Sequence, residues 1–250
     1  MKTGIYFLIQ ILLFSIGFAN ANAQLLVDVE TGLVTTGYNN VKIPGNEGTL
    51  FSLKNDFTSN TKFYYRARLS YTIKSRSTIS VLYAPLLVKY TGVTKFPIIF
   101  AGTTFAANTN LIGIYKFNSY RLTYRYDIVQ KPKLNFGLGL TAKIRDAQIA
   151  LTSTTLQSAK KNVGFIPIIN FKVAWNANNK ITLLLEGDAL AAPQGRAEDV
   201  LLAVNYNLTK NFKIRAGYRI LEGGASNDEV YNFSLFHYAS FGLLYQLSKK

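Results

Sequence analysis

Cysteine is absent from this 250-residue chain, histidine and tryptophan occur once each, and only 16% of residues are charged. Without cysteine there is neither a disulfide framework nor a thiolate metal site. A single histidine, His237, cannot supply the spaced pairs that bind transition metals, and no P-loop or dinucleotide glycine pattern occurs. No metal or cofactor is therefore expected. The charge content lies well below the ~25% usual in soluble domains, which suits a chain whose outer surface avoids water. Also missing beyond residue 24 is any apolar run of the ~20 residues that a membrane-spanning helix requires.

What is present is a large apolar fraction, 48% hydrophobic and 14% aromatic, too rich for disorder. The formal charge is +15, with 28 Lys and Arg against 13 Asp and Glu. Those cations are spread along the extended segments rather than gathered in one patch, so no nucleic-acid partner is expected. Lipid head groups are the more natural counterpart of basic groups at an outer surface. At the N-terminus, Lys2 precedes a short apolar run, Gly4 to Phe18, and Ala21-Asn22-Ala23 fits small-x-small cleavage. Residues 1–23 read as a signal peptide and 24–250 as the mature domain, starting at Gln24. An N-terminal anchor is the alternative, but the run is short for a span.

Past residue 24 the dominant period is two. Phe63, Tyr65, Ala67, Leu69, Tyr71 and Ile73 alternate with Tyr64, Arg66, Arg68, Ser70 and Thr72. Tyr120, Leu122, Tyr124, Tyr126 and Ile128 alternate with Ser119, Arg121, Thr123, Arg125 and Asp127. Alternate strand residues face opposite sides, so each segment has an apolar-aromatic face and a charged face. Ten strands are predicted, at 25–35, 62–74, 77–90, 112–128, 133–150, 164–176, 180–190, 198–208, 212–222 and 231–247. Short links near 74–77, 129–133, 176–180 and 207–211 alternate with longer Gly/Asn/Thr-rich ones near 36–61, 91–111, 151–163, 191–197 and 223–230.

That alternation of turns and loops, with an even strand number and both termini at one end, is the pattern of an outer-membrane barrel. In hydrocarbon every backbone donor and acceptor must be paired within the protein, so an open sheet edge is excluded. The expected fold is all-β: a single closed antiparallel transmembrane β-barrel of ten strands. A soluble β-sandwich would also alternate, but its apolar faces would meet a second sheet.

With the aromatic face toward lipid, the other face lines the lumen. The expected lumen charge network comprises Arg66, Arg68, Arg121, Arg125, Asp127, Lys143, Arg145, Glu186, Asp188, Asp199, Arg215 and Arg219, with Asp28, Glu30 and Lys172 on the same side. Mixed charges on a narrow inner wall should pair, because an unpaired buried charge is costly. Two readings stay open here: a salt-bridge plug, or a narrow path in which the cationic excess favours anions. Ten strands lie near the eight whose interior is filled by side chains. A second group, Arg196, Glu198, Glu222, Asp228 and Glu229 together with Glu186, Asp188 and Asp199, is expected at the rim near the upper ends of three adjacent strands. It either orders loops or does acid/base or cation-binding work. His237 falls inside the last strand on the outward face, away from any serine at the rim.

The last strand ends Ser240-Phe241-Gly242-Leu243-Leu244-Tyr245-Gln246-Leu247, which resembles the C-terminal signal read by the outer-membrane assembly machinery, with Leu247 in place of the usual terminal aromatic. The stretches 117–126 (FNSYRLTYRY), 141–147 (TAKIRDA), 186–200 (EGDALAAPQGRAEDV), 215–225 (RAGYRILEGGA) and 228–239 (DEVYNFSLFHYA) resemble a family of uncharacterised bacterial outer-membrane β-barrel proteins. The resemblance implies the barrel fold, the bacterial outer membrane as location and its lipid as partner. It implies no activity and no catalytic residues. Three functions remain: a non-enzymatic barrel, either structural or a porin-like narrow channel for small solutes; an enzyme with an acidic site at the extracellular rim; and a soluble periplasmic β-protein.

Overall fold

The computed structural model describes residues 24–193 and 195–248; the expected signal peptide lies outside them. Ten strands form the wall. They are β1 (Gln24–Lys42), β3 (Lys62–Ile73), β4 continued by β5 (Ser77–Ala84 and Leu87–Val93), β8 (Asn110–Gln130), β9 (Leu134–Thr152), β10 (Gln157–Asn176), β11 (Ile181–Ala192), β12 (Gly195–Asn207), β13 (Phe212–Ser226) and β14 (Tyr231–Ser248). Three short strands, β2 (Phe51–Ser52), β6 (Ile98–Phe100) and β7 (Thr103–Phe105), belong to the loops. Pro85 separates β4 from β5, as expected of a residue with no N–H for the ladder.

Each wall strand pairs antiparallel with its neighbour in sequence, and β14 pairs with β1 from Gln24↔Ser248 to Lys42↔Tyr231. That last pairing closes the sheet, leaving the wall without a free edge of the kind hydrocarbon forbids. Both ends of the described chain lie at the level of the tight turns that follow β3, β8, β10 and β12. In an outer-membrane barrel this is the periplasmic side.

The outward face is apolar where a bilayer would be. Phe63 is 83% exposed, Leu140 and Phe165 67%, and Tyr65, Leu122, Tyr124, Leu202, Tyr218 and Phe241 are also exposed. A continuous belt of this kind would be untenable in water, and it meets acyl chains in the outer membrane. The chain is thus an all-β, closed, ten-stranded barrel facing outer-membrane lipid, and not a sandwich or a soluble periplasmic protein.

The wall departs from expectation at its outer end. β1 runs on to Lys42 rather than stopping at 35, β9 to Thr152, and β10 begins at Gln157 rather than 164. Three of the expected long loops are in fact tight turns on strands that project beyond the lipid belt. Their outward face meets water rather than lipid, so its Thr, Asn and Lys residues no longer give the apolar-against-polar alternation that marks a strand in the belt. A bulge between Thr36 and Tyr38 reverses the parity of β1, so that Thr36 and Asn39 are both buried inside.

The two true loops, between β1 and β3 and between β5 and β8, fold inward. Val41, Ile43, Phe51, Leu53, Phe57, Ile98, Phe100 and Phe105 are buried together with Val88, Tyr90, Leu111, Tyr115 and Phe236 of the wall. The β6–β7 hairpin turns through Ala101 (φ +46°) and Gly102 (φ +82°). Its tip is held by Ser158 of β10, whose Oγ donates to the Ala101 carbonyl at 3.1 Å. An apolar cap thus fills one side of the outer mouth. The rule "aromatic out, charged in" therefore holds only through the lipid belt.

Candidate functional site

Through the middle of the barrel the inward positions carry charge. Arg68 on β3 bonds Glu186 on β11 at 2.8 Å, joining strands five positions apart in the ten-stranded wall, directly across the lumen. Arg66 reaches Asp199 on β12 at 2.9 Å, and Arg121 on β8 bonds both Asp188 and Asp199. Arg219 is bidentate on Glu30 at 2.8 and 2.7 Å and also donates to Asp199. Arg215 is bidentate on Asp28 at 2.8 and 2.9 Å and reaches Glu30 at 3.1 Å. Five arginines thus meet five carboxylates in a neutral cluster.

Uncharged neighbours complete it. Tyr64 donates to Glu30 at 2.9 Å, Thr141 to Asp188 at 2.6 Å, and Asn170 to the same carboxylate at 2.9 Å. Bidentate guanidinium–carboxylate geometry with the spare lone pairs filled is the arrangement that makes burial of charge tolerable.

The other expected lumen residues are outside the cluster's ion pairs, although Lys143 stands opposite Arg121 and Lys172 opposite Glu186 in the strand register. Arg125 and Asp127 sit nearer the periplasmic end, 3.5 Å from one another. Lys143 is 2% exposed, with its ammonium 4.8 Å from the centre of the Phe117 ring. Arg145 donates to Asn162, and its buried Nε has no partner.

The rim residues do not converge on one point. Arg196 and Glu222 form a two-pronged pair at 2.8–3.0 Å, capped by Tyr38, with the guanidinium 4.9 Å from the Phe233 ring. This group lies on the outer wall, because Asp199, Arg219 and Phe236 fix the opposite parity as inward. Partial burial, then the hydrogen bond to Glu222, raises the Tyr38 phenol above its ordinary value. Glu198 stands opposite Glu222 in the β12–β13 register. Asp228 and Glu229 are exposed in the turn before β14, and Glu229 pairs with Lys160 at 3.3 Å. His237 faces outward, where its Nδ1 meets the Tyr218 hydroxyl.

Above the central cluster and beside the apolar cap, a cavity of about 370 Å³ opens at the extracellular mouth. Lys143 and Arg145 line it, as do Ile166, Leu190, Leu221 and Lys160. Its walls come from the upper parts of β8 to β14. Sequence reasoning missed it, since Leu190, Leu221 and Ile166 look like ordinary strand residues unless the inward parity is carried above the lipid belt.

A closed ten-stranded wall, apolar toward lipid and charged within, defines the class: an outer-membrane β-barrel protein. Comparison with known proteins agrees at the level of fold. The outer membrane protease OmpT of Escherichia coli superposes with a TM-score of 0.56 at 10% identity, covering 90% of this chain and 97% of that one. Ail of Yersinia pestis, solved with the heparin analogue sucrose octasulfate, gives 0.42 at 10% identity over 89% and 99%. An outer membrane channel from Pseudomonas putida F1 gives 0.44 at 9% identity over 92% and 97%. No protein-family model and no curated protein matches the chain.

Proposed function

We propose that this protein is a non-enzymatic, non-conducting outer-membrane barrel, inserted by the outer-membrane assembly machinery through its C-terminal strand. The observation that carries this reading is the neutral five-arginine, five-carboxylate cluster spanning the lumen. A permeant solute would have to break bidentate pairs between opposite walls. Each broken buried pair leaves an uncompensated charge, at a cost of about 3–5 kcal/mol. A narrow anion path would instead need an open constriction with free cations, and here each of the five arginines at the constriction is bonded to a carboxylate from another strand.

A rim enzyme is the weaker reading, because Glu186, Asp188 and Asp199 are each held by arginine while Glu222 lies on the outer wall. Planar-bilayer recording of the refolded protein tests the proposal: no discrete current steps are expected. Regular steps from the unaltered protein would overturn it.

A further inference from the structure

The charges lining the extracellular cavity are unequally satisfied. Lys160, on the inward face of β10, pairs with Glu229 at 3.3 Å, while Lys116 and Arg196, at the cavity's margin, turn outward to Asp146 at 2.9 Å and Glu222 at 2.8 Å. Lys143 and Arg145 have no carboxylate within 4.0 Å among the described residues. Both side chains face the cavity from one strand. At about 3.3 Å per residue their Cα atoms lie about 7 Å apart, a span that one multi-oxygen headgroup can bridge. Lys143 stands opposite Arg121 in the β8–β9 register, and the arginines that bond Asp188 and Asp199 leave it without an ion pair of its own. Lys143 is 2% exposed and makes no ion pair, and its ammonium lies 4.8 Å from the centre of the Phe117 ring. Arg145 keeps a buried Nε without a partner. Two inward-facing cations without an ion pair thus stand at the base of a chamber whose remaining lining includes Ile166, Leu190 and Leu221.

We infer that this cavity binds a small organic anion from the external medium. A carboxylate or phosphate monoester is held by Lys143 and Arg145, and a compact apolar body rests on Leu190, Leu221 and Ile166. The volume lies within the range of ordinary ligand sites, about 300–1,000 Å³, which combine apolar walls with a few convergent polar groups. The inference rests on the closed lumen for its blind floor. The two fail differently: an open lumen shows as current, a wrong site as absent binding in a barrel that stays silent.

The test is calorimetric titration of the full, detergent-folded protein with phenyl phosphate and benzoate, against neutral benzyl alcohol and inorganic phosphate. Saturable binding of both organic anions is expected, with benzyl alcohol and inorganic phosphate weaker by about ten-fold or more, since each lacks one half of the recognition. Lys143→Met and Arg145→Gln should each weaken the organic anions by about ten-fold or more, while exposed Lys210→Gln changes nothing. Heat-modifiable gel mobility reports folding of each variant. Should a variant fail to fold, the comparison of anionic and neutral ligands on the unaltered protein still decides. Absence of saturable binding, equal affinity for benzyl alcohol, equal affinity for inorganic phosphate, or undiminished binding in folded Lys143→Met and Arg145→Gln would each overturn the inference.

Discussion

Among individual residues, the same charge has opposite effects depending on its partners. Asp199 accepts from Arg66, Arg121 and Arg219, all buried. Asp199→Ala should therefore destabilise the folded barrel by about 3–5 kcal/mol, read as a lower urea midpoint in lipid vesicles. Arg196→Ala removes an equally well-formed pair, but its side chain is 47% exposed. A loss of about 1 kcal/mol or less is expected by the same measurement. Lys143→Met should raise the midpoint, because it replaces an unpaired buried cation with an apolar group of similar length. Period-two alternation made the inward set legible: Arg66, Arg121, Asp199 and Arg219 could all be assigned to the lumen from sequence. Which acid meets which base could not be read, because Arg68 and Glu186 lie 118 positions apart and meet only when the wall closes.

At the level of elements, legibility followed the solvent. Strands in the lipid belt alternate because their two faces see different media. The upper parts of β1, β9 and β10 have a wet outward face with few apolar residues and look like loops. The apolar cap was hidden for a related reason, as Phe100, Phe105 and Phe57 lie in segments without strand or helix period. Phe100 is fully buried and packs edge-on against Phe51 at 6.0 Å. Phe100→Ala should cost about 3–5 kcal/mol of local stability. Since the cap sits above the closed wall, the expected signature is faster proteolytic cleavage between residues 94 and 109 with the heat-modifiable band retained.

For the whole molecule, one boundary governs both fold and location: where the outward face changes from apolar to polar. Leu140, in the midst of the belt, is 67% exposed to lipid. Leu140→Arg should lower folding stability in bilayers by about 2–4 kcal/mol if the site lies at the midplane, and by less toward either interface. A matching Ala159→Arg, on the exposed outward face of the projecting part of β10, should have little effect by the same assay.

The central cluster has one more consequence, for assembly. Arg68 and Glu186 occupy opposite halves of the circle, and Arg66 and Arg121 also find Asp199 across the lumen. A partly curled sheet cannot bring these groups together, so in an unclosed intermediate Arg66, Arg68, Arg121 and Arg215 lack their carboxylates and only Arg219, beside Asp199 on the neighbouring strand, keeps one. Joining the first strand to the last is then the same event as discharging the interior, and the chain has no stable half-built form that hydrocarbon would accept.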